Sequence, residues 1–256
     1  MSAVTTIAVI GATGTAGSRV VARLRSRDVA VVEISREHGI DLFSGRDLSE
    51  ALTGIDVAID VSYPVPPELS DISRTLAIAS RNVVCACATR EVQRLVVPTI
   101  AGIENPEFDG IPYYEAKREA KNILLDGPVP TTVVKSTQWY ECTAHCEAVR
   151  CEGEQVIVED WLIQPIAADT VADVLVEAAL GQSRTPRTIT GPHPIRLPEL
   201  TSKLLAQQGD SRRVRAVPPA VAALANGALL GSATLDFEDR EPLSRKPFRF
   251  EGQQTS

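Results

Sequence analysis

The sequence predicts an α/β fold, a doubly wound parallel sheet followed by a smaller C-terminal region, and three observations carry that reading. Short apolar runs rich in β-branched residues alternate with segments of helical period through the first half of the chain. The first run is closed by a glycine-rich turn that opens a helix. Beyond residue 136 the alternation breaks into shorter units.

Taken in order, residues 6–10 form an apolar run cut off by Gly11, and residues 15–26 carry Ala16, Val20, Val21 and Leu24 on one helical face. Residues 29–34, 57–61, 95–100 and 131–136 read as further strands, with helices at 47–52 and 68–90 between them. Strands joined by helices imply right-handed crossovers and a parallel sheet covered on both faces. Residues 156–158 and 164–166 look like short strands, and 169–180 places Val171, Val174, Leu175 and Ala178 on one face of a helix. Residues 198–207 and 219–230 are expected to be amphipathic helices, each entered at a proline. Residues 236–256 have no clear period and read as an extended arm or tail. The expected division is therefore residues 1–137, 138–235 and 236–256.

With 256 residues, 44% hydrophobic and 4% aromatic, the chain can form one sizeable core or a core with a smaller lobe. A formal net charge of -7 offers no basic field for phosphate backbones or anionic lipid. That disfavours nucleic-acid and membrane partners and points to a small-molecule substrate. Neither a charged leader with a long apolar stretch nor an apolar run of about 18 residues occurs, so a cytoplasmic location is expected. Five cysteines, an odd number, suit free thiols in a reducing compartment. Monomer and homodimer are both compatible with this sequence.

Gly11, Gly14 and Gly17 recur at three-residue intervals between a strand and a helix. Such a turn serves a tight bend, close approach of backbone to a pyrophosphate, and close packing of helix on strand. The helix start adds unpaired N–H groups and the positive end of a dipole. Gly11, Thr13, Gly14, Thr15, Ala16 and Gly17 are therefore expected to bind a nicotinamide dinucleotide. About 20 residues on, at the end of the second strand, an acid would favour NAD through the ribose hydroxyls. Ser35 and Arg36 stand there instead, a hydroxyl and a guanidinium suited to a 2′-phosphate, while Glu33 lies further back in the strand. NADP(H) is the preferred expectation, with NAD(H) still compatible. Asp41 and Leu42 are placed at the adenine, and Ser62, after the third apolar run, beside the cofactor.

Tyr113 and Lys117 are i and i+4 on a helix whose packed side is Ala116, Ala120, Ile123 and Leu124. A free phenol, with pKa about 10, is a poor acid–base group at neutral pH, and a nearby ammonium favours its phenolate. The pair therefore reads as a proton-transfer unit.

On the GATGTAG turn, the Ile34-Ser35-Arg36 strand end, Tyr-x-x-x-Lys, Ser136-Thr137-Gln138-Trp139, the segment from Gln164-Pro165-Ile166 to Asp169, and Gly191-Pro192, the chain resembles the atypical short-chain dehydrogenase/reductase superfamily, in its NmrA-like, NAD(P)H-binding branch. The resemblance runs from about residue 6 to residue 230. It implies a Rossmann-type α/β doubly wound parallel sheet with a smaller C-terminal substrate-binding region. It also implies a triad in which Thr99 holds the reacting oxygen, Tyr113 transfers the proton and Lys117 binds the nicotinamide ribose. Ser136 joins the cofactor residues. Pro98 before Thr99 departs from a central strand's needs because it lacks an N–H. Lys135 stands where relatives often have Arg, and Lys121 where Glu is frequent. Since the branch includes redox sensors that bind NADP without turnover, the resemblance secures binding better than catalysis.

Trp139, Tyr140 and Trp161 are placed to line a substrate pocket, with core packing as the alternative reading. Cys142, His145, Cys146 and Cys151 lack a Cys-x-x-Cys pair, so no metal is expected. Arg212, Arg213 and Arg215 read as a solvated strand edge. The expected activity is NADP(H)-dependent reduction, or the reverse oxidation, of a small carbonyl or conjugated substrate. A sensor that uses bound NADP(H) to choose a conformation or partner, and a cofactor-retaining isomerase or cyclase, are the alternatives.

Overall fold

The computed structural model describes residues 5–66, 68–142, 147–181 and 187–231. In chain order the elements are β1 (Thr6–Ile10), α1 (Thr15–Arg25), β2 (Ala30–Ile34), α2 (Leu48–Ala51), β3 (Val57–Asp60), α3 (Ile72–Thr89), β4 (Arg94–Ile100), α4 (Pro112–Leu125) and β5 (Thr131–Ser136). After these come β6 (Val149–Glu152), β7 (Gln155–Glu159), β8 (Leu162–Ile163), α5 (Ala168–Ala179), β9 (Arg187–Ile189), β10 (Ile195–Arg196), α6 (Leu197–Gln207), β11 (Arg213–Val217) and α7 (Ala222–Ala225). One sheet of six strands runs in the order β2-β1-β3-β4-β5-β9, a doubly wound arrangement consistent with a Rossmann-type fold. Its β1–β2, β1–β3 and β3–β4 pairs are parallel, with Ile10 opposite both Ile34 and Asp60.

The chain divides into two compact units. The first comprises Met1–Thr99, Phe108–Lys135 and Asp169–Arg187. Its sheet strands are nearly all apolar because helices cover them, and Ile7, Ala8, Val9 and Ile10 are fully buried. Leu48, Leu52, Val83 and Leu95 join Ile10 in the same core cluster. Each side chain of this size contributes about 1.5–3 kcal/mol by leaving water. Against α3, Ile72 and Leu76 meet Ala116 of α4, with Tyr113 and Ala120 at the margin. The small residues let the two helices approach closely.

A single boundary at 137/138, as the sequence suggested, is not how the chain divides: α5 belongs to the first unit. Two features hold it there. Val171, Ala172, Val174, Leu175 and Val176 are fully buried. On its polar side, Asp169 and Asp173 meet Arg19 and Arg23 of α1, with Arg19 Nε to Asp169 and Arg23 Nη2 to Asp169 both at 2.9 Å. An acid pair spaced i, i+4 matches a basic pair spaced i, i+4, a signal present in the sequence but only meaningful once the two helices are neighbours.

Among the described residues, the second unit comprises Ile100–Glu107, 136–142, 147–168 and 188–231. Its sheet has the order β11-β7-β6, with β6 antiparallel and β11 parallel to β7. Leu197, Leu200, Leu204 and Leu205 of α6 pack on Val156, Val158 and Ile163. Arg213 and Arg215 are exposed on the edge strand β11, the solvated edge expected for them. Two expectations change. The strand expected at 164–166 lies at Leu162–Ile163, and Ile166 makes only a bridge to Trp139, because Pro165 brings no N–H. The helix expected at 219–230 shrinks to α7, since Val221 is extended and Gly227 turns to φ 78°. The expected tail, 236–256, lies outside the described residues. Among the described residues, no helix is long and apolar enough to cross a membrane.

Candidate functional site

Strand order reverses beside β1, whose neighbours are β2 on one side and β3 on the other. Ligands of open α/β sheets bind at the carboxyl ends of strands at such a point. Here Gly11 follows β1 and Ser62 follows β3, and they are packed so closely that a Cβ on Gly11 would lie 2.8 Å from the Ser62 Cα. Gly11 also sits at φ 84°, where a side chain would be strained. A Cβ on Gly17 would lie 2.0 Å from the Gly11 carbonyl oxygen, so α1 presses directly onto the turn.

Local bonds fix the turn before any ligand arrives. The Gly11 and Ala12 N–H groups donate to the Ile34 carbonyl at 2.8 and 3.2 Å, and Gly14 N–H donates to Gly11 at 3.0 Å. The first helical bond of α1 runs from Ser18 N–H to the Gly14 carbonyl, and no side chain caps the helix. The N–H groups of Thr15, Ala16 and Gly17 therefore point out of the helix end, where an anion is favoured. Thr13 and Thr15 are exposed at this mouth, while Ala16 is buried against the sheet.

At the end of β2, Ser35 is buried and its hydroxyl lies 2.8 Å from His38 Nδ1. Arg36 is exposed at the start of the following single turn and has no ion-pair partner among the described residues. Glu33, the one acid on this strand, is paired with Arg25. Asp41 uses its carboxylate to accept the Phe43 and Ser44 N–H groups, each at 3.2 Å, which closes the 41–45 turn. Leu42 belongs to the core cluster, only 8% exposed.

The proton-transfer residues gather around α4. Tyr113 and Lys117 both reach the ring of Tyr63, the residue after Ser62. The Tyr113 and Tyr63 rings are 6.4 Å apart edge to face, and Lys117 Nζ lies 4.3 Å from the Tyr63 ring centre. Lys117 and Thr99 share a cavity of about 60 Å³ with Asp60, Ser62, Pro98 and Lys121. Pro98 does no harm to the sheet. Leu95 N–H points to the β5 side, donating to Pro130 at 2.9 Å, so the Pro98 nitrogen faces the β3 side, beyond Val96, the last residue paired with β3.

Sequence reasoning missed Asp60 and Tyr63. Asp60 ends β3, and its carboxylate accepts the Ser62 N–H at 2.9 Å. Burial pushes this carboxyl above the ordinary carboxylate range, against the opposing pull of the Ser62 hydrogen bonds and the Lys117 charge. The signal for it was an acid closing the otherwise apolar run Val57–Ile59. Cys87, in α3, has its thiol pushed up to about 12 by burial and then by the Asp60 charge. It is a core group, and Cys85 on the same helix faces solvent.

The remaining expected residues lie in the second unit. Ser136 is buried at the end of β5, and its hydroxyl oxygen accepts the Trp139 indole N–H at 2.9 Å. Tyr140 and Trp161 pack at the margin of that unit's core, with the Trp161 indole N–H donating to Glu159 at 2.8 Å. His145 and Cys146 lie outside the described residues, and no group of three or more metal-ligating side chains occurs among the described ones.

No family model and no curated protein matches the chain. Solved structures do. A GDP-6-OMe-4-keto-L-xylo-heptose reductase from C. jejuni superposes with TM-score 0.72 at 12% identity, covering 94% of this chain and 94% of its own. A UDP-N-acetylglucosamine 4-epimerase from Bacillus cereus gives 0.65 at 15% identity, covering 93% and 92%. A short-chain dehydrogenase/reductase superfamily protein from Agrobacterium tumefaciens with bound NAD gives 0.63 at 16%, covering 83% and 85%. The chain shares its fold with these three proteins, over more than four fifths of the length of each.

Proposed function

We propose that this chain is an NADP(H)-preferring oxidoreductase of the atypical short-chain dehydrogenase/reductase type, acting on a small carbonyl or conjugated substrate in the cytoplasm. The observation that carries the reading is the Gly11–Gly17 turn. Its backbone is pressed against Ser62 at the sheet's switch point, its helix-start N–H groups are uncapped, and its two tightest positions have no room for a Cβ. That cradle fits a dinucleotide diphosphate. The Agrobacterium protein of the same fold holds NAD, and the C. jejuni protein is a reductase. Preference for NADP(H) is supported by Arg36, exposed at the end of β2 and without an ion-pair partner among the described residues.

When bound, the nicotinamide would supply or accept a hydride. The chain's own residues then have distinct tasks. Tyr113 gives a proton to the substrate oxygen, or removes one in the reverse direction, Thr99 hydrogen-bonds the same oxygen, and Lys117 donates to ribose hydroxyls while its charge favours the phenolate.

Titration with NADPH, NADH and their oxidised forms, followed by tryptophan fluorescence or calorimetry, tests the reading. NADPH should bind at least about tenfold tighter than NADH, and Arg36→Ala should erase the difference, because a charged hydrogen bond contributes about 1.5–3 kcal/mol. Absence of affinity for every nicotinamide nucleotide would overturn it. In a carbonyl panel followed by NADPH absorbance, Tyr113→Phe should abolish turnover while leaving NADPH affinity intact.

One observation favours the sensor alternative: the Lys117 ammonium already rests on the Tyr63 ring, within the protein. Under that reading Tyr113→Phe changes no activity, and partner binding follows the oxidation state of the cofactor.

A further inference from the structure

We infer that Asp60 is a positioning residue of this site: its carboxylate, fixed by Ser62, holds the Lys117 ammonium inside the cavity that Thr99 also lines. The inference rests on the reading of Lys117 as the lysine of the cofactor end, and it adds to that reading an anchor that the Tyr-x-x-x-Lys pattern does not contain.

The geometry comes first. A lysine has four rotatable bonds and a strongly hydrated head, so left alone it extends into solvent and samples many positions. Lys117 does not. It is half-buried, its Nζ rests on the Tyr63 face, and it lines the same cavity of about 60 Å³ as Asp60. Asp60 cannot follow the ammonium outward, because it closes β3 in register with Ile10 and its Oδ1 accepts the N–H of Ser62 at 2.9 Å. A carboxyl held still on the wall of the cavity that a flexible lysine also lines is an arrangement that selects one lysine conformer. The Lys117 ammonium rests on the Tyr63 ring, which Tyr113 meets edge to face.

The charges agree with this. Around Asp60 stand Lys117 and Lys121 from α4, the Ser62 hydroxyl and N–H, and the Cys87 thiol from α3. Burial raises the Asp60 carboxyl, and the Ser62 hydrogen bonds, then the Lys117 charge, pull it back toward its ionised form. A buried carboxylate without such a partner would be costly to retain. Asp60 and Lys117 therefore depend on each other, Asp60 for its charge and Lys117 for its place.

Amine labelling with acetic anhydride, read at each lysine by mass spectrometry, tests the pair in the protein without cofactor. Asp60→Asn keeps the size of the side chain and removes the charge. Without its anionic partner, Lys117 should present more free amine at a given pH and label about tenfold faster at pH 8. Exposed Lys203, paired with Glu199 on α6, is the internal reference and should not change. Equal Lys117 rates in the two proteins would overturn the inference. Should Asp60→Asn not fold, Lys117→Met decides from the other side. It strands the Asp60 charge, so its melting temperature should fall further below native at pH 8 than at pH 4.5, by roughly 3 °C or more. A deficit independent of pH would mean that Lys117 matters only for packing, and the inference fails. Saturating NADPH separates the two levels. If Asp60→Asn speeds labelling but NADPH gives native Lys117 no protection, the cofactor reading falls while the Asp60–Lys117 pair stands.

Discussion

The glycine turn and the lysine cavity, both in the first unit, are built from different materials. At the turn, recognition is done by backbone. The N–H groups of Thr15, Ala16 and Gly17 are aimed by the helix itself, and the positions of Gly11 and Gly17 are set by contacts that exclude any side chain. At the cavity, everything depends on side chains: Asp60, Ser62, Thr99 and Lys117 line it, and Lys117 also meets the Tyr63 ring that Tyr113 touches. A backbone device tolerates change at its neighbours and none at its glycines. A side-chain device can be retuned by isosteric substitution without loss of fold.

The largest expected effect breaks the turn. Gly17→Ala places a carbon 2.0 Å from the Gly11 oxygen, with Gly11 C and Ala12 Cα also under 3 Å, all of them backbone. Chemical denaturation should show a loss of about 3 kcal/mol, and NADPH affinity should fall more than about 100-fold. Retention of native affinity would show that the turn is not backbone-built in the sense argued.

Next comes the clamp behind the turn. Burial pushes the Asp169 carboxyl up, but hydrogen bonds and charge from Arg19 and Arg23 outweigh it and leave the group below the ordinary carboxylate range. Its stabilisation is therefore present above the unfolded value near pH 4 and lost as pH falls through the lower folded value. Because both acids are substantially exposed, Arg23→Ala should cost only about 1 kcal/mol near neutral pH. The deficit should shrink with added salt and vanish in acid, and a melting series over pH reads both. Cofactor affinity should hardly move.

The smallest effect belongs to the cavity. The Asp60 carboxyl is raised in the folded protein, so folding favours its neutral form. The group's contribution is most favourable below about pH 4 and is lost as pH rises through the raised folded value. Asp60→Asn should accordingly melt slightly above native at pH 8 and level with it in acid. A variant less stable than native at pH 8 would contradict the cost assigned to this buried charge.

The same contrast explains what was legible beforehand. Strands β1 to β5, α1 and the glycine turn follow from local periods and from a backbone requirement that only glycine meets, so the sequence shows them directly. The i, i+4 spacing of Tyr113 and Lys117 was legible too, though not the object they converge on, because Tyr63 comes from the loop after β3. Asp60 is a single acid in an apolar run, and only folding reveals what faces it. The return of α5 to the first unit was hidden for the same reason: its acids gain meaning only beside α1. In the second unit, the apolar period alone ran a strand through Pro165 and a helix through Gly227, and both elements stop short of those residues in the fold.

Arg213 and Arg215 on β11 have a consequence for behaviour at high concentration. An outermost strand displays a row of backbone groups to which another chain can bond, the usual route by which sheets of separate molecules zip together. Here that row is flanked by two solvent-facing guanidinium groups. A second molecule approaching edge to edge would bring its own pair against them, and like charges would part the two before any backbone bond formed.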